Sequence, residues 1–137
     1  MTRLRSAGVT GLVVLALLPL ARAADDEPSF KKRGDQEKQF VTLVGEAIVK
    51  AAHGTAKKTA LLEYAYKEPK PNRTELTLKM EYYGAVVGKR YVADIVVKID
   101  STDKNAWEVL NIDYADTNTA IKQNEKKIQE LIKKFNR

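Results

Sequence analysis

Residues 76–99, LTLKMEYYGAVVGKRYVADIVVKI, decide the fold. Leu76, Leu78, Met80 and Tyr82 alternate with Thr77, Lys79, Glu81 and Tyr83. After a glycine-containing break, Tyr91, Ala93, Ile95, Val97 and Ile99 alternate with Val92, Asp94, Val96 and Lys98. Successive strand side chains point to opposite faces, so this period of two reads as two neighbouring antiparallel strands that share one apolar face. Gly88-Lys89 is expected to form a two-residue hairpin turn, with Gly supplying the positive φ. Gly84 is expected to bulge the earlier strand and curve the sheet.

The same period extends to both sides of this pair. Upstream, Leu62, Tyr64 and Tyr66 alternate with Glu63, Ala65 and Lys67, and Glu68-Pro69-Lys70-Pro71-Asn72 supplies a turn. Downstream, the polar run 100–105 leads into a strand over 107–114, with Leu110, Ile112 and Tyr114 on the core side. Short connections between consecutive strands predict a four-stranded antiparallel meander.

A helical period flanks the sheet. Phe40, Leu43, Val44, Ala47, Ile48 and Ala51 share one face of a helix expected over 35–53, capped by Asp35 and closed by Gly54. Gly45 weakens that helix by about 1 kcal/mol relative to Ala but permits close approach to another element. A second helix, capped by Thr117 or Asn118, carries Ile121, Ile128, Leu131, Ile132 and Phe135. The order α-β-β-β-β-α defines an α+β domain. Its first helix should cover the face bearing Leu62, Tyr64, Leu76, Leu78, Ile95, Val97, Leu110 and Ile112. The arrangement resembles cystatin-like and NTF2-like folds in element order alone. The Gln-x-Val-x-Gly loop of cystatin inhibitors is absent, so no residue role or activity is carried over.

The first 23 residues, MTRLRSAGVTGLVVLALLPLARA, have the form of a signal peptide. Arg3 and Arg5 precede an apolar stretch from Val9 to Leu20, and Ala21-Arg22-Ala23 presents small side chains where a signal peptidase needs them. That stretch falls well short of the roughly 20 residues of a membrane-spanning helix. The expected organisation is a signal peptide over 1–23, a flexible leader over 24–34 and one domain over 35–137. The destination is periplasmic or secreted, with no transmembrane segment after cleavage. The chain holds 24 Lys and Arg against 18 Asp and Glu. Loss of Arg3, Arg5 and Arg22 leaves 21 basic groups, an ordinary solubility charge rather than a phosphate-binding surface. No nucleic-acid partner is expected.

Composition excludes several chemistries. Without cysteine there are no disulfides, thiol nucleophiles, cysteine metal sites or lipoprotein anchor. An exported domain without disulfides fits a bacterial envelope better than a eukaryotic secretory route. A single histidine, His53, rules out sites that need two imidazoles, and its place at a helix end has an electrostatic explanation. Asp100, Asp103, Asp113 and Asp116 could in principle supply oxygen ligands, but their spacing fits no calcium loop and suits turn chemistry better. No metal or cofactor is expected. Asn72-Arg73-Thr74 is a formal glycosylation triplet of the kind that arises by chance.

The second sheet face carries the functional expectation. It reads as Leu61, Ala65, Tyr83, Val92, Val96, Trp107 and Val109 among charged residues, more apolar than a solvated face requires. Tyr83, Val92, Val96, Trp107 and Val109 are therefore the candidate binding residues, unless the second helix covers them. The preferred function is a non-enzymatic exported domain that engages an envelope or extracellular protein, a peptide or a small apolar ligand. Binding would use this face or a pocket between the first helix and the sheet. The open face could also pair two copies of the chain as a homodimer. The alternative is a small pocket enzyme using Asp or Glu with tyrosine, near Tyr64, Tyr66 or Tyr91. Export has a direct check: N-terminal sequencing of the protein recovered outside the cytoplasm should begin at Ala24, and an intact Met1 on the exported material contradicts it.

Overall fold

A computed structural model describes residue 30, residues 36–119, residue 121 and residues 124–137. Helix α1 spans Glu37–Ala52; strands β1 (Lys57–Lys70), β2 (Arg73–Tyr83), β3 (Arg90–Asp100) and β4 (Glu108–Asp116) follow, and helix α2 (Glu125–Phe135) ends the chain. The strands form one antiparallel sheet in the order β1-β2-β3-β4, so the expected α+β meander is the observed architecture. The segment expected to be a signal peptide, its expected cleavage site, the expected leader apart from Phe30, and the expected cap Asp35 lie outside the described residues.

Both helices pack on the same face of the sheet. Leu76, Leu78, Met80 and Tyr82 of β2 and Ala93, Ile95, Val97 and Ile99 of β3 are buried beneath them, in one cluster with Val44 and Ile48 of α1 and Ile128, Leu131 and Phe135 of α2. The helix stripe sits one residue later than its apolar spacing alone predicts. Val41, Val44, Gly45, Ile48, Val49 and Ala52 are buried, while Phe40, Ala47 and Ala51 are half-buried beside them. The apolar arc of α1 is wide enough to meet more than one neighbour. Phe30 extends that second contact: it is buried edge-on against Phe40 and Phe135, with ring centroids 5.3 and 5.5 Å apart. Gly45 does bring the helix close, because a Cβ there would lie 2.5 Å from Met80 Sδ and 2.9 Å from its Cγ.

Two bulges correct the assignment of faces in the edge strands. In β1, Leu61 pairs with Met80 and Glu63 with Lys79, so one residue is extra between them. Leu61 therefore packs against the core, and Leu62, expected inside, is 42% exposed. In β4, Lys98 pairs with Asn111 but Ile99 with Val109, which leaves Leu110 as the added residue. Val109 is buried and Leu110 is 48% exposed, the reverse of the expected order. A one-residue slip inverts every later side chain, so the alternation seen in sequence holds on only one side of each bulge.

The ends of the elements also differ from expectation. Helix α1 starts at Glu37 with Gln36 in the capping position, and it stops because His53 turns extended (φ −141°), not through a left-handed Gly54. The β1–β2 turn is only Pro71-Asn72, where Asn72 takes φ +63°. Tyr83 pairs directly with Arg90, so Gly84 lies outside the strand and the β2–β3 connection is six residues long. Within it the Lys89 amide donates to the Val86 carbonyl at 3.3 Å, and Gly88 holds φ +81° at the third position of that turn. Helix α2 begins at Glu125 rather than near Asn118, because Asn124 caps it by accepting from the Lys127 amide at 3.2 Å.

Helix α2 is tied to the free edge of β4 by a side chain that imitates a strand. Asn136 accepts from the Val109 amide at 2.7 Å and donates to the Val109 carbonyl at 2.9 Å. Asn136→Ala leaves both backbone groups unpaired at a half-buried edge, and the expected loss is about 1–3 kcal/mol in urea denaturation. Asn136→Asp, which keeps the acceptor and loses the donor, should fall between the two. Equal stability of all three proteins would show that water replaces the amide without cost.

Candidate functional site

Chain geometry brings three connections together at one end of the sheet. The C-terminus of α1 delivers Ala52, His53 and Gly54; the β2–β3 loop delivers Ala85 and Val86; and the segment after β4 delivers Asn118 and Ile121. With Tyr91 they line an open cleft of about 390 Å³. Beside it, Gly84 keeps the packing tight: a Cβ there would stand 3.1 Å from both His53 Nε2 and Tyr91 Cε2, so those side chains would have to give by a few tenths of an ångström.

The polar groups of the cleft are held from behind. His53 Nε2 lies 3.0 Å from Thr55 Oγ1, and its ring sits 5.6 Å from that of Tyr82. The Tyr82 and Tyr91 rings, directly opposed across β2 and β3, are 5.5 Å apart. Beneath them is a polar network on the core face. The hydroxyls of Tyr82 and Tyr114 each donate to Asp116 Oδ2 at 2.5 Å, and the Asn118 amide donates to Oδ1 at 2.7 Å. The Asn118 side chain also hydrogen-bonds Tyr82. Asp116 points inward because Asp116 pairs with Ala93, an inward residue of β3. With both oxygens occupied, this carboxylate acts as a brace behind Asn118, one of the residues that line the cleft. Burial, and then the bond to Asp116, push the phenols of Tyr82 and Tyr114 well above their ordinary range.

The structure separates the five residues singled out by sequence. Tyr83, Val92 and Val96 are half-buried on the outer face. Val109 is in the core, and Trp107 packs against the core with its ring 6.1 Å from that of Tyr66. No described element packs on the outer face, so α2 does not cover it. Yet Val92 and Val96 there are set among polar and charged partners. Val96 lies between Thr77 and Asp113, and Val92 pairs with Glu81. Around them Lys79 meets Asp94, Lys98 meets Asp113 at 3.3 Å, and Arg90 meets Glu81 at 2.5 Å.

The four candidate aspartates also part company. Asp100 accepts from Thr102, which holds its carboxyl below the usual range, and Asp103 accepts from the Asn105 amide. Asp113 faces outward and Asp116 inward. Among the described residues no group of three or more acids and histidines is placed to hold a metal ion. Carboxylates do meet tyrosines, but through pairs other than those expected apart from Tyr64, whose hydroxyl donates to Glu37 at 2.9 Å. Sequence reasoning gave His53 only a helix-end role and left Asn118 as a cap; their convergence depends on loop lengths that the periodicity does not encode. No family model, curated protein or solved structure matches the chain.

The brace predicts an alkaline response. Unfolded tyrosines ionise near pH 10, whereas folded Tyr82 and Tyr114 retain their protons to higher pH. The folded state then binds more protons, so this stabilisation is complete below about pH 10 and declines as pH rises beyond it. The variant Tyr82→Phe/Tyr114→Phe should be less stable at neutral pH but lose less on going to alkaline pH. Denaturant midpoints between about pH 8 and pH 11 test this, and an unchanged alkaline slope assigns the decline to other groups.

Proposed function

We propose that the protein is a small exported binding domain whose cleft takes a compact small molecule with both an apolar part and hydrogen-bonding groups. The cleft itself carries the reading. Its volume of about 390 Å³ falls in the lower range of ligand pockets, and its lining combines Ala52, Ala85, Val86 and Ile121 with the polar atoms of His53 and Asn118. Behind it the Tyr82–Asp116–Tyr114 bonds hold the lining residue Asn118 in place, which reduces the ordering left for a ligand to impose. The charge ladder argues against the outer sheet face, and the cleft at the sheet end differs from the helix–sheet pocket expected from sequence. Export rests on residues 1–23 and their resemblance to a signal peptide.

A library of small aromatic and alicyclic molecules, screened by thermal shift and mapped by amide chemical shifts, tests this function. Binding molecules should perturb His53, Tyr91 and Ile121. Ala85 is exposed at the mouth, so Ala85→Trp should weaken binding at least about tenfold while changing stability by less than about 0.5 kcal/mol. Hits that bind Ala85→Trp equally well, or that map to Val92 and Val96, would overturn the cleft assignment.

A further inference from the structure

The β2–β3 turn departs from the residue preferences usual in turns. Turn positions usually carry Gly, Pro, Asn, Asp or Ser. Here Val86 and Val87 occupy them, 57% and 97% exposed. The bond from the Lys89 amide to the Val86 carbonyl puts Val87 at the corner, ahead of Gly88. Adjacent β-branched residues lose nothing by burial in a strand, so their display at a tip marks an unspent apolar surface.

The same end of the sheet is basic. Lys57 and Arg90 both pair with Tyr83, which places their backbones on either side of it, about 10 Å apart. Lys58 follows in a bulge with φ +49°, and Lys89 lies 5.5 Å over the Tyr91 ring. The nearby acids are engaged elsewhere: Glu81 holds Arg90, Glu46 holds Lys50 and Thr59, and Asp116 holds its two tyrosines. Lys57, Lys58 and Lys89 make no ion pair among the described residues.

We propose that this end of the domain docks on an anionic phospholipid surface, with Val87 entering the headgroup boundary and Lys57, Lys58 and Lys89 meeting the phosphates. Apolar tips supply interfacial burial, and each nearby lysine adds attraction to a negatively charged leaflet. One short tip and three lysines amount to weak, reversible attachment. No described helix is long and apolar enough to span a membrane. The proposal does not depend on the cleft being filled, because Val87 is not part of its lining.

Vesicle co-flotation tests it. All described elements lie within 30–137, so the chain beginning at Ala24 retains the core. That chain should partition onto phosphatidylcholine vesicles that contain phosphatidylglycerol and not onto phosphatidylcholine alone, and binding should fall as ionic strength rises. Val87→Ser should reduce partitioning about five- to tenfold, and Lys57→Gln and Lys58→Gln about fivefold each. Val87 is exposed, so Val87→Ser keeps its fold, and cleft ligands should bind it as before. Absence of vesicle binding, equal binding to neutral vesicles, or unchanged binding of these variants overturns the proposal.

Discussion

Each edge strand of this sheet carries a residue that its central neighbour does not match, and the rest of the molecule depends on where those residues fall. Strand side chains alternate between faces, so the extra residue at Leu62 lets Leu61, Tyr64 and Tyr66 oppose Met80, Leu78 and Leu76 on the same side. The one at Leu110 does the same for Val109, Ile112 and Tyr114 against Ile99, Val97 and Ile95. Without it, Val109 would face water, α2 would lose the surface that Ile128 and Phe135 cover, and Asn136 would have no backbone at Val109 to hold. Beyond that bulge the register runs unbroken to Ala93, which keeps Asp116 inward with Ile112 and Tyr114 and places its tyrosine bonds behind the cleft-lining Asn118.

Free edges follow a related logic. β4 is closed at Val109 by the Asn136 amide, while Thr117 continues the pairing beside Val92 through its amide and its hydroxyl. β1 is the open edge, and its sequence resists another strand. It begins Lys57-Lys58, ends Glu68-Pro69-Lys70, and its register is interrupted three times. Charge, proline and bulges are the usual defences of an exposed edge against further pairing. The irregularities that misdirect face assignment therefore also protect the strand that carries most of them.

What was legible in the sequence follows from this. β2 and β3 are regular, unbulged against each other and buried on one side, so the period of two assigns every inward residue from Leu76 to Ile99. The helices were legible as amphipathic arcs, although α1 is rotated by one residue because its apolar arc exceeds what the sheet alone covers. Leu62, Leu110 and Val109 were not legible, since a bulge is a property of the pair of strands and neither strand shows it alone. The candidate site was less legible still. Of the residues first singled out, two turned to the core side and three remained among charges. The cleft draws on His53, Tyr91, Asn118 and Ile121, which no spacing connects; only the lengths of three loops bring them together.

Those loops explain why function is best sought at the end of the sheet. One face is consumed by the helices, and a solvated ladder of Lys79, Asp94, Lys98 and Asp113 occupies the other. Such exposed pairs add little stability, but they set Val92 and Val96 among polar and charged partners. The end where α1 stops differs in kind. Backbone there has left the sheet and helix ladders, glycine at position 84 keeps space between His53 and Tyr91, and Val87 stands clear of every packing contact. A braced lining residue, an open cavity and an apolar tip therefore meet within one loop cluster. The cavity wall and the tip are neighbours, Val86 and Val87, so anything that seats the tip also fixes one wall of the cleft.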